Sequence, residues 1–238
     1  MLSAATRALV VSDVHYELVP HHGVDESGAF GWLFKTVKQT NPDFLIGLGD
    51  WGSAWTMSQW FELAKLVRIF AIYGNHENIQ TLRGAVNTDG KRVLVEDGGV
   101  RVIEGLRFGF INGIVSEDKP VKQGVSRKTA KEYLSLGSLL SGIDVLCTHE
   151  SPFVPEYHGR LSPSPGTEAM GSIIGMLRPK LALSGHLTGS YTLAQIGWTV
   201  SLRIESSPTE KHFAVLKLPD LSLQVYHDRD LVLEKPIS

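Results

Sequence analysis

The sequence predicts an α/β fold built around a largely parallel, buried β-sheet. Two observations support this prediction: short apolar runs alternate with amphipathic runs of helical length in residues 7–75, and the alternation returns in residues 127–186. Continuous apolar runs are typical of strands covered on both faces, and strands that alternate with helices are typical of parallel sheets. We expect the 238 residues to form a single domain over 1–238.

The first elements follow the order strand, helix, strand, helix, strand. Strands are predicted at 7–13, 43–50 and 69–75, because each is an apolar run bounded by polar or turn-forming residues. Helices are predicted between them, at 27–40 and 56–67, where apolar residues recur at helical spacing. This βαβαβ order favours parallel strands whose carboxyl ends share one edge of the sheet.

The middle and the end of the chain are richer in β-structure. Residues 92–113 contain three short β-rich runs separated by glycine-containing turns, which predicts antiparallel hairpins. The alternation then resumes with a helix, a strand, a helix and a strand, at 127–140, 143–150, 167–178 and 180–186. Three C-terminal runs predict a return to β-hairpins, at 198–204, 212–218 and 221–227.

Composition and charge exclude several classes of protein. Apolar residues make up 42% of the chain and charged residues 20%, which excludes a disordered or fibrous protein. The formal net charge of −2 argues against a strongly basic nucleic-acid-binding surface. Cys147 is the only cysteine, so no internal disulfide can form, and its apolar strand predicts that it is buried. Because no apolar run is typical of a membrane span or a signal peptide, we expect a cytoplasmic protein.

Side chains suited to metal binding follow five of the predicted strands, at the point where each strand ends. They are Asp13 with His15, Asp50, Asn75 with His76, His149, and His186. Because the carboxyl ends of parallel strands share one edge, we expect these side chains to converge on one crevice. Carboxylates, imidazoles and an amide, without thiolate, suit divalent metals such as Mn, Fe, Co or Zn. Asp50 stands alone at its strand end and is the natural candidate to bridge two cations.

Each of these residues has a simpler explanation when it is taken alone. An aspartate after a strand commonly caps the next helix, which could explain Asp13 or Asp50. Asn75 after Gly74 could be a turn residue, and a lone histidine such as His186 often has a structural role. These explanations are independent and would all have to hold at five corresponding strand ends. Convergence on a metal site is therefore the better interpretation.

The five motifs, in this order, resemble the calcineurin-like metallophosphoesterase family over most of the chain. They are D-x-H at 13–15, G-D at 49–50, G-N-H-E at 74–77, the strand-end His149, and G-H at 185–186. The resemblance implies a four-layer α/β/β/α sandwich with two packed mixed β-sheets. It also implies hydrolysis of a phosphate ester, either a monoester or a diester, by metal-activated water at a dinuclear centre.

The same resemblance implies which residues bind two divalent ions, drawn from Mn, Fe, Co, Ni or Zn. The implied ligands are Asp13, His15 and Asp50 for the first ion and Asp50, Asn75, His149 and His186 for the second. His76 is similar to the family's non-ligand histidine beside the phosphate, where an imidazole could stabilise developing charge or protonate the leaving oxygen. Alternatively, its side chain only caps the following turn. We expect a small phosphorylated substrate, with a nucleotide as one candidate, and neither a membrane nor a nucleic acid as partner.

Thr188 departs from the family pattern. The family has G-H-x-H, whose second histidine completes the first metal's shell, and here G-H-L-T places a threonine at that position. A hydroxyl is a poor replacement for an imidazole, so we expect weaker metal binding at the first site. His21 or His22 could substitute, although exposed loop residues are the simpler explanation of both.

The loss of this histidine leaves two other functions open. Some proteins of this fold have lost ligands and act as protein-interaction scaffolds, as the retromer subunit does. A scaffold would be free to lose Asn75 and His76 as well, and both are present, which favours an enzyme. A DNA nuclease of the same family would need an added basic or DNA-capping segment, and the short chain and near-neutral charge argue against that function.

The residues that contact the substrate are less well determined by the sequence. Two loop-like stretches carry side chains that could hold a phosphate, although ordinary solvated loop charge explains them as well: Lys119, Lys122, Arg127, Lys128, Tyr157, His158 and Arg160. Trp51 could stack on a nucleobase at the cleft mouth. Core packing is the better interpretation, because Trp55 and Trp60 flank or enter an amphipathic helix.

Overall fold

The computed structural model of the chain describes residues 5–20, 23–118, 121–122, 124–159 and 162–237. In chain order the elements are β1 (Thr6–Val11), α1 (Ala29–Thr40), β2 (Phe44–Gly47), α2 (Met57–Leu66), β3 (Arg68–Ala71), α3 (Ile79–Gly84), β4 (Gly99–Ile103), β5 (Leu106–Ile111), β6 (Val121–Lys122), β7 (Val125–Ser126), α4 (Ala130–Ser138), β8 (Val145–Thr148), α5 (Pro155–His158), α6 (Pro165–Leu177), β9 (Leu181–Ser184), β10 (Tyr191–Ile196), β11 (Thr199–Ile204), β12 (His212–Leu218), β13 (Ser222–His227) and β14 (Asp230–Pro236).

Two six-stranded mixed β-sheets form the centre of the described structure. The first has the strand order β14-β13-β12-β1-β2-β3, and the second has the order β10-β11-β9-β8-β5-β4. In the first sheet β1, β2 and β3 run parallel, as the βαβαβ order predicts, and β12 to β14 continue it as an antiparallel meander. In the second sheet β5, β8, β9 and β11 run parallel, with antiparallel β4 and β10 at the two edges.

The two sheets pack face to face, and helices cover their outer faces. Val10 and Ile46 of the first sheet share one buried cluster with Phe108 and Leu183 of the second. Cys147 belongs to the same cluster, so the prediction that it is buried is confirmed. The outer face of the first sheet packs on α1, α2 and α3, and that of the second packs on α4 and α6. This is the α/β/β/α arrangement that the family resemblance implies.

Local sequence explains where several helices begin. At the start of α2, Thr56 Oγ1 accepts a hydrogen bond from Gln59 N, and the Gln59 side chain accepts one from Thr56 N. The same reciprocal capping occurs with Thr129 and Glu132 at α4, and with Ser164 at α6. No helix within the described residues combines the length and the apolar character that crossing a membrane requires.

Two predictions about β-pairing are wrong in detail. Of the three runs predicted in 92–113, only β4 and β5 form a hairpin, whereas Val93 and Val95 bond to the Ala71 backbone at the edge of β3. The run at 198–204 forms β11, which pairs in parallel with β9 and does not form a hairpin with β12. The chain crosses between the sheets after β11, because β11 packs in the second sheet and β12 in the first. The predicted hairpin of β12 and β13 is confirmed.

Candidate metal centre

The side chains predicted to bind metal lie together at the carboxyl ends of strands from both sheets. Asp13 and Asp50 follow β1 and β2 of the first sheet, and Asn75 lies beyond the end of β3. His149 and His186 follow β8 and β9 of the second sheet. His186 N donates a hydrogen bond to Asp13 Oδ2 at 3.0 Å, which joins the strand ends of the two sheets. The predicted convergence is therefore present.

Asp50 lies at the middle of this cluster. Its Oδ2 is 3.7 Å from His15 Nε2, and its Oδ1 is 3.3 Å from His149 Nε2. One ligand atom each from Asp13, His15 and Asp50 lies within 4.8 Å of the others, which is close enough for the three to surround one cation. The two oxygens of Asp50 thus face two different histidines, as a carboxylate shared between two sites requires.

Left-handed backbone conformations aim the ligand side chains. The φ angles are 54° at Asp13, 49° at His15, 54° at Asp50 and 71° at His186, in a region that L-residues other than glycine rarely adopt. Asp13 N donates to the carbonyl of Gly49, and His15 N donates to the carbonyl of Asp50, both at 2.9 Å. These bonds fasten the loops after β1 and β2 to each other. Backbone strain of this kind concentrates at functional sites.

The glycines of two motifs leave room for the cluster. A Cβ on Gly74 would lie 2.6 Å from His149 Nε2 and would overlap Asp50 Oδ1. A Cβ on Gly185 would overlap Ser12 Oγ and Asp13 Oδ2. A larger residue at either position would therefore displace a candidate ligand.

Hydrogen bonds orient the candidate ligands. Asp50 Oδ1 accepts from the backbone N–H groups of Asn75 at 2.5 Å and His76 at 2.8 Å, and Asp13 Oδ2 accepts from Ser12 Oγ at 2.6 Å. His149 Nδ1 lies 2.8 Å from the carbonyl oxygen of Leu48. Because a carbonyl oxygen only accepts, Nδ1 carries a proton, and Nε2 is the ring nitrogen that can bind a metal once it loses its own proton.

Glu77 supports the centre without belonging to it. Its Oε1 accepts from Asp50 N at 2.7 Å and Gly74 N at 2.6 Å, and its Oε2 accepts from Trp51 N at 3.1 Å. Burial and the charge of Asp50 raise the pKa of Glu77 to about 8. The sequence shows Glu77 as the last letter of G-N-H-E, but only the fold shows that it ties the loop after β2 to the loop after β3.

A buried acceptor atom tests whether the centre suits a cation. Asn75 Oδ1 is buried and has no hydrogen-bond partner among the described residues. An unpaired buried acceptor typically costs about 1–3 kcal/mol. A divalent cation would satisfy this atom and would replace the proton between His149 Nε2 and Asp50 Oδ1, which lie 3.3 Å apart. Oxygen and nitrogen ligands without thiolate suit Mn, Fe, Co, Ni or Zn. The residues therefore fit the metals that the resemblance implies.

The charges of the centre also favour a bound cation. Burial works against a charged His15 or His149, yet Asp13 and Asp50 outweigh it and raise the pKa to about 9 for His15 and about 10 for His149. Burial also works to raise the pKa of Asp50, but His149 and His15 hold it well below its ordinary value. The carboxylates thus create a strong demand for positive charge at this point.

Thr188 lies at the rim and not in the ligand cluster. It is exposed, and its carbonyl oxygen accepts a hydrogen bond from the Tyr157 hydroxyl. The first group of ligands therefore keeps Asp13, His15 and Asp50. His21 and His22, the candidate substitutes for the missing histidine, lie outside the described residues.

A cavity of about 440 Å³ opens over the cluster. Its floor includes His15, Asp50, Asn75, His76 and His186. The His76 ring is partly buried, and its centroid lies 5.5 Å from that of His15. The volume is in the range of small-molecule sites.

The loop residues considered for phosphate binding lie elsewhere. Of those whose side chains are described, Arg127, Lys128, Tyr157 and His158 do not line the cavity. Lys128 Nζ instead donates to the carbonyl of Asn112 at 2.7 Å and lies 3.2 Å from an Asp97 carboxylate oxygen. The remaining three candidates fall outside the described side chains; they are Lys119, Lys122 and Arg160.

Trp51 is a core residue, as the better interpretation of the sequence expects. Only 1% of it is exposed, and its Nε1 donates to the Ile72 carbonyl at 3.0 Å. Its ring packs edge-on against Trp55 and Trp60. A stacking contact between Trp51 and a nucleobase at the mouth is therefore excluded.

Several solved structures have a similar fold. TT1561 of Thermus thermophilus aligns with a TM-score of 0.67 and 14% identity, over 95% of this chain and 100% of that one. GAP50, the anchor in the inner membrane complex of Plasmodium, aligns with a TM-score of 0.61 and 12% identity, over 99% and 89%. Purple acid phosphatase PPD1 from yellow lupin seeds aligns with a TM-score of 0.53 and 13% identity, over 95% of this chain and 52% of that one. At these identities the likeness concerns the fold alone.

Comparison of sequences is more specific. No curated protein sequence matches the chain at a significant level. The family model described as calcineurin-like phosphoesterase matches residues 6–188, a span that begins before Asp13 and ends after His186. Because the match contains every strand-end motif and the fold agrees with it, the chain belongs to the calcineurin-like phosphoesterase family.

Proposed function

We propose that the protein is a metal-dependent phosphoesterase that hydrolyses a small phosphate ester with water at a centre of two divalent cations. The observation that supports this most is the unpartnered, buried acceptor Asn75 Oδ1. A fold that only served as a scaffold would have no physical reason to bury an unsatisfied acceptor beside the Asp50 carboxylate and the buried His149.

The proposed ligands form two groups that share Asp50, with one group on the side of each of its carboxylate oxygens. Asp13, His15 and Asp50 would hold the first cation, and Asp50, Asn75, His149 and His186 would hold the second. Two such cations, when bound, polarise a phosphoryl oxygen and lower the pKa of a water towards neutrality. Glu77 and the backbone N–H groups on Asp50 keep the shared carboxylate in place.

His76 would hold a proton at the reacting end of the cavity. It lines the cavity next to His15, and its backbone is fixed on both sides, because its N–H donates to Asp50 Oδ1 and its carbonyl accepts from Gly52 N. An imidazole so placed can stabilise charge on the phosphate or protonate the leaving oxygen.

A protein-interaction scaffold is the second candidate, and Thr188 is the observation that favours it. The fold by itself does not distinguish the two functions, since GAP50 is described as an anchor and PPD1 as a phosphatase. The three ligands left to the first cation are still enough for a catalytic metal with open positions. The formed cavity, with His76 on its floor, supports the enzyme.

The test uses metal-stripped full-length protein with p-nitrophenyl phosphate and bis-p-nitrophenyl phosphate. Mn, Ni, Co, Zn or Mg is added back, and His76→Ala is assayed beside the unaltered chain. We expect metal to restore turnover and His76→Ala to lower it about 100-fold. Glu62→Gln, at an exposed position on α2 paired with Lys65, is the control and should keep full activity.

The preferred ester decides between a monoesterase and a diesterase. Calorimetry measures metal binding on the same samples, so that inactivity can be separated from a missing metal. A folded protein that binds metal and hydrolyses neither ester would overturn the proposed function and favour the scaffold.

A further inference from the structure

We infer that the substrate is a phosphate ester whose alcohol carries an ammonium group, because the wall of the cavity beside the metal centre is acidic. This inference rests on the proposed phosphoesterase function and specifies its substrate class. The carboxylates that line the wall, beyond the ligand cluster, are Glu26, Glu205 and Glu210. Neither lysine nor arginine occurs among the described residues that line the cavity.

Glu205 is a buried carboxylate fixed in the wall. It is 6% exposed, its Oε1 accepts from Ser207 Oγ at 2.7 Å, and its Oε2 accepts from Gly189 N. Both donors are neutral, so they orient the carboxylate without cancelling its charge. Burial raises the pKa of Glu205, with a further contribution from the charge of Asp13. A cation in the cavity would relieve both effects.

Arg203 lies close to this wall but serves another purpose. Its guanidinium donates to the carbonyls of Leu187 and Gly189 at 2.6 Å and to Thr192 Oγ1 at 3.1 Å. It also packs over the Tyr157 ring, 4.3 Å from its centroid. Arg203 therefore holds the loop that follows His186 and is not part of the cavity lining, although its charge also acts on Glu205 and Glu210.

Glu210 has one ionisable group within salt-bridge distance among the described residues. Its Oε2 lies 3.8 Å from His212 Nδ1, and the charge of Arg203 acts on it from farther away. Burial lowers the pKa of His212, and the neighbouring His227 lowers it further. This shift disfavours the charged imidazole, so His212 is a poor counter-ion for Glu210.

The spacing of these carboxylates suits an organic cation better than a metal ion. Within the described residues, the one group that offers three ligand atoms within 4.8 Å of one another is Asp13, His15 and Asp50. The wall carboxylates are thus too widely spaced to enclose a metal ion together. An alkylammonium group is larger and can be attracted by several carboxylates at once.

An independent observation places the phosphate next to this wall. Asn75 Oδ1 is buried, has no partner among the described residues, and belongs to the same cavity. It marks the position of the cation that would hold the phosphate. A phosphate there and an ammonium at Glu205 and Glu210 would satisfy both ends of the cavity. Further phosphate or carboxylate groups on the substrate would meet like charge.

The experiment compares two isosteric esters on the Mn-loaded full chain. One is p-nitrophenyl phosphocholine, and the other is p-nitrophenyl 3,3-dimethylbutyl phosphate, in which carbon replaces the quaternary nitrogen. We expect kcat/KM to be about tenfold higher for the cationic ester. The ratio should fall at least about threefold in Glu205→Gln and in Glu210→Gln. It should stay unchanged in the control Glu62→Gln, which removes one exposed negative charge that does not line the cavity.

Binding of the product analogues is the second readout. Calorimetry compares the affinity of the metal-loaded protein for phosphocholine with its affinity for 3,3-dimethylbutyl phosphate. Circular dichroism shows whether each variant is folded. Equal kcat/KM for the two esters, with no change in the glutamine variants, would overturn the ammonium inference and leave the phosphoesterase standing. No hydrolysis of either ester, or of p-nitrophenyl phosphate, by the metal-loaded protein would overturn the proposed function itself.

Discussion

His149 Nε2 lies 3.3 Å from Asp50 Oδ1, although the two residues follow strands of different sheets. The interface between the two sheets therefore ends in a pair of side chains that a metal ion would bridge. Because the metal would link both halves of the sandwich, its removal should affect the stability of the whole fold.

The first prediction concerns metal and stability. A cation that binds only the native state at about 100 times its Kd contributes about 2.7 kcal/mol. For a chain of this size we expect Mn to raise Tm by about 5–10 °C above that of the chelator-treated protein. Differential scanning calorimetry measures this shift. In Asp50→Asn the shift should be at most half as large, and an undiminished shift would show that the metal binds elsewhere.

The second prediction concerns pH and the metal-free protein. His15 and His149 have native pKa values of about 9 and about 10, above the ordinary 6.5. Their contribution to stability is complete below pH 6.5 and is lost as pH rises through the native values. Glu77, with its pKa raised from 4.5 to about 8, acts in the same direction, because its native form holds a proton that the unfolded form releases.

Metal-free protein should therefore lose stability between pH 6.5 and pH 10, whereas metal affinity should increase over the same interval. Thermal unfolding with chelator, and calorimetric Mn titration in buffers of different ionisation enthalpy, measure the two trends. Metal binding should release protons at pH 7. A metal-free Tm that rises from pH 6.5 to pH 9 would contradict the assigned charges.

The third prediction concerns Gly74. Gly74→Ala places a Cβ 2.6 Å from His149 Nε2 and against Asp50 Oδ1, so both ligands must move. We expect a loss of about 1–3 kcal/mol in the free energy of unfolding and at least about tenfold weaker Mn binding. Urea unfolding and calorimetry measure the two effects.

The matched control is Gly175→Ala. Gly175 is exposed within α6, and a Cβ there would meet no atom within 4 Å. This variant should gain up to about 1 kcal/mol from helix propensity and should bind Mn normally. Normal Mn binding by Gly74→Ala would contradict this prediction, because it would show that Mn binding does not depend on the present positions of His149 and Asp50.

The candidate ligands could be predicted from sequence because they share one local signal. Each directly follows an apolar run, and the topology of parallel strands brings such positions to one edge. Glu205 and Glu210 carry no such signal. They lie in the crossover between β11 and β12, and only the packing of one sheet on the other brings that segment to the cavity.

The strands that the sequence does not predict are edge strands. Most residues of β14 are exposed, so it lacks the continuous apolar pattern of β1 or β9. Most residues of β10 are half-buried, so it lacks that pattern as well. The crossover from β11 to β12 is missed because proximity in sequence favours a hairpin, whereas burial of β11 beside β9 outweighs that preference.

The fourth prediction concerns Glu77, whose two oxygens accept three backbone N–H groups. In Glu77→Gln an NH₂ group replaces one acceptor and faces a backbone donor. We expect a loss of about 1–3 kcal/mol in the free energy of unfolding, measured in urea. Glu62→Gln should change it by less than about 0.5 kcal/mol. Equal free energies of unfolding for the two variants would show that the hydrogen bonds of Glu77 do not stabilise the centre.

The fifth prediction concerns the departure at Thr188. Thr188→His restores the G-H-x-H pattern, so the first cation would gain an imidazole beside Asp13, His15 and Asp50. We expect calorimetric titration of the unaltered protein with Mn to show one tighter and one weaker site. In Thr188→His the weaker site should tighten about tenfold or more.

Thr209→His is the control, because Thr209 also lines the cavity but lies outside the motif. It should leave both Mn affinities unchanged. If Thr188→His and Thr209→His behave alike, the first cation does not lack the ligand that the motif supplies, and another group must complete its shell. If only Thr188→His tightens the weaker site, the threonine accounts for its low affinity, and the ratio of the two Mn affinities measures the contribution of one imidazole.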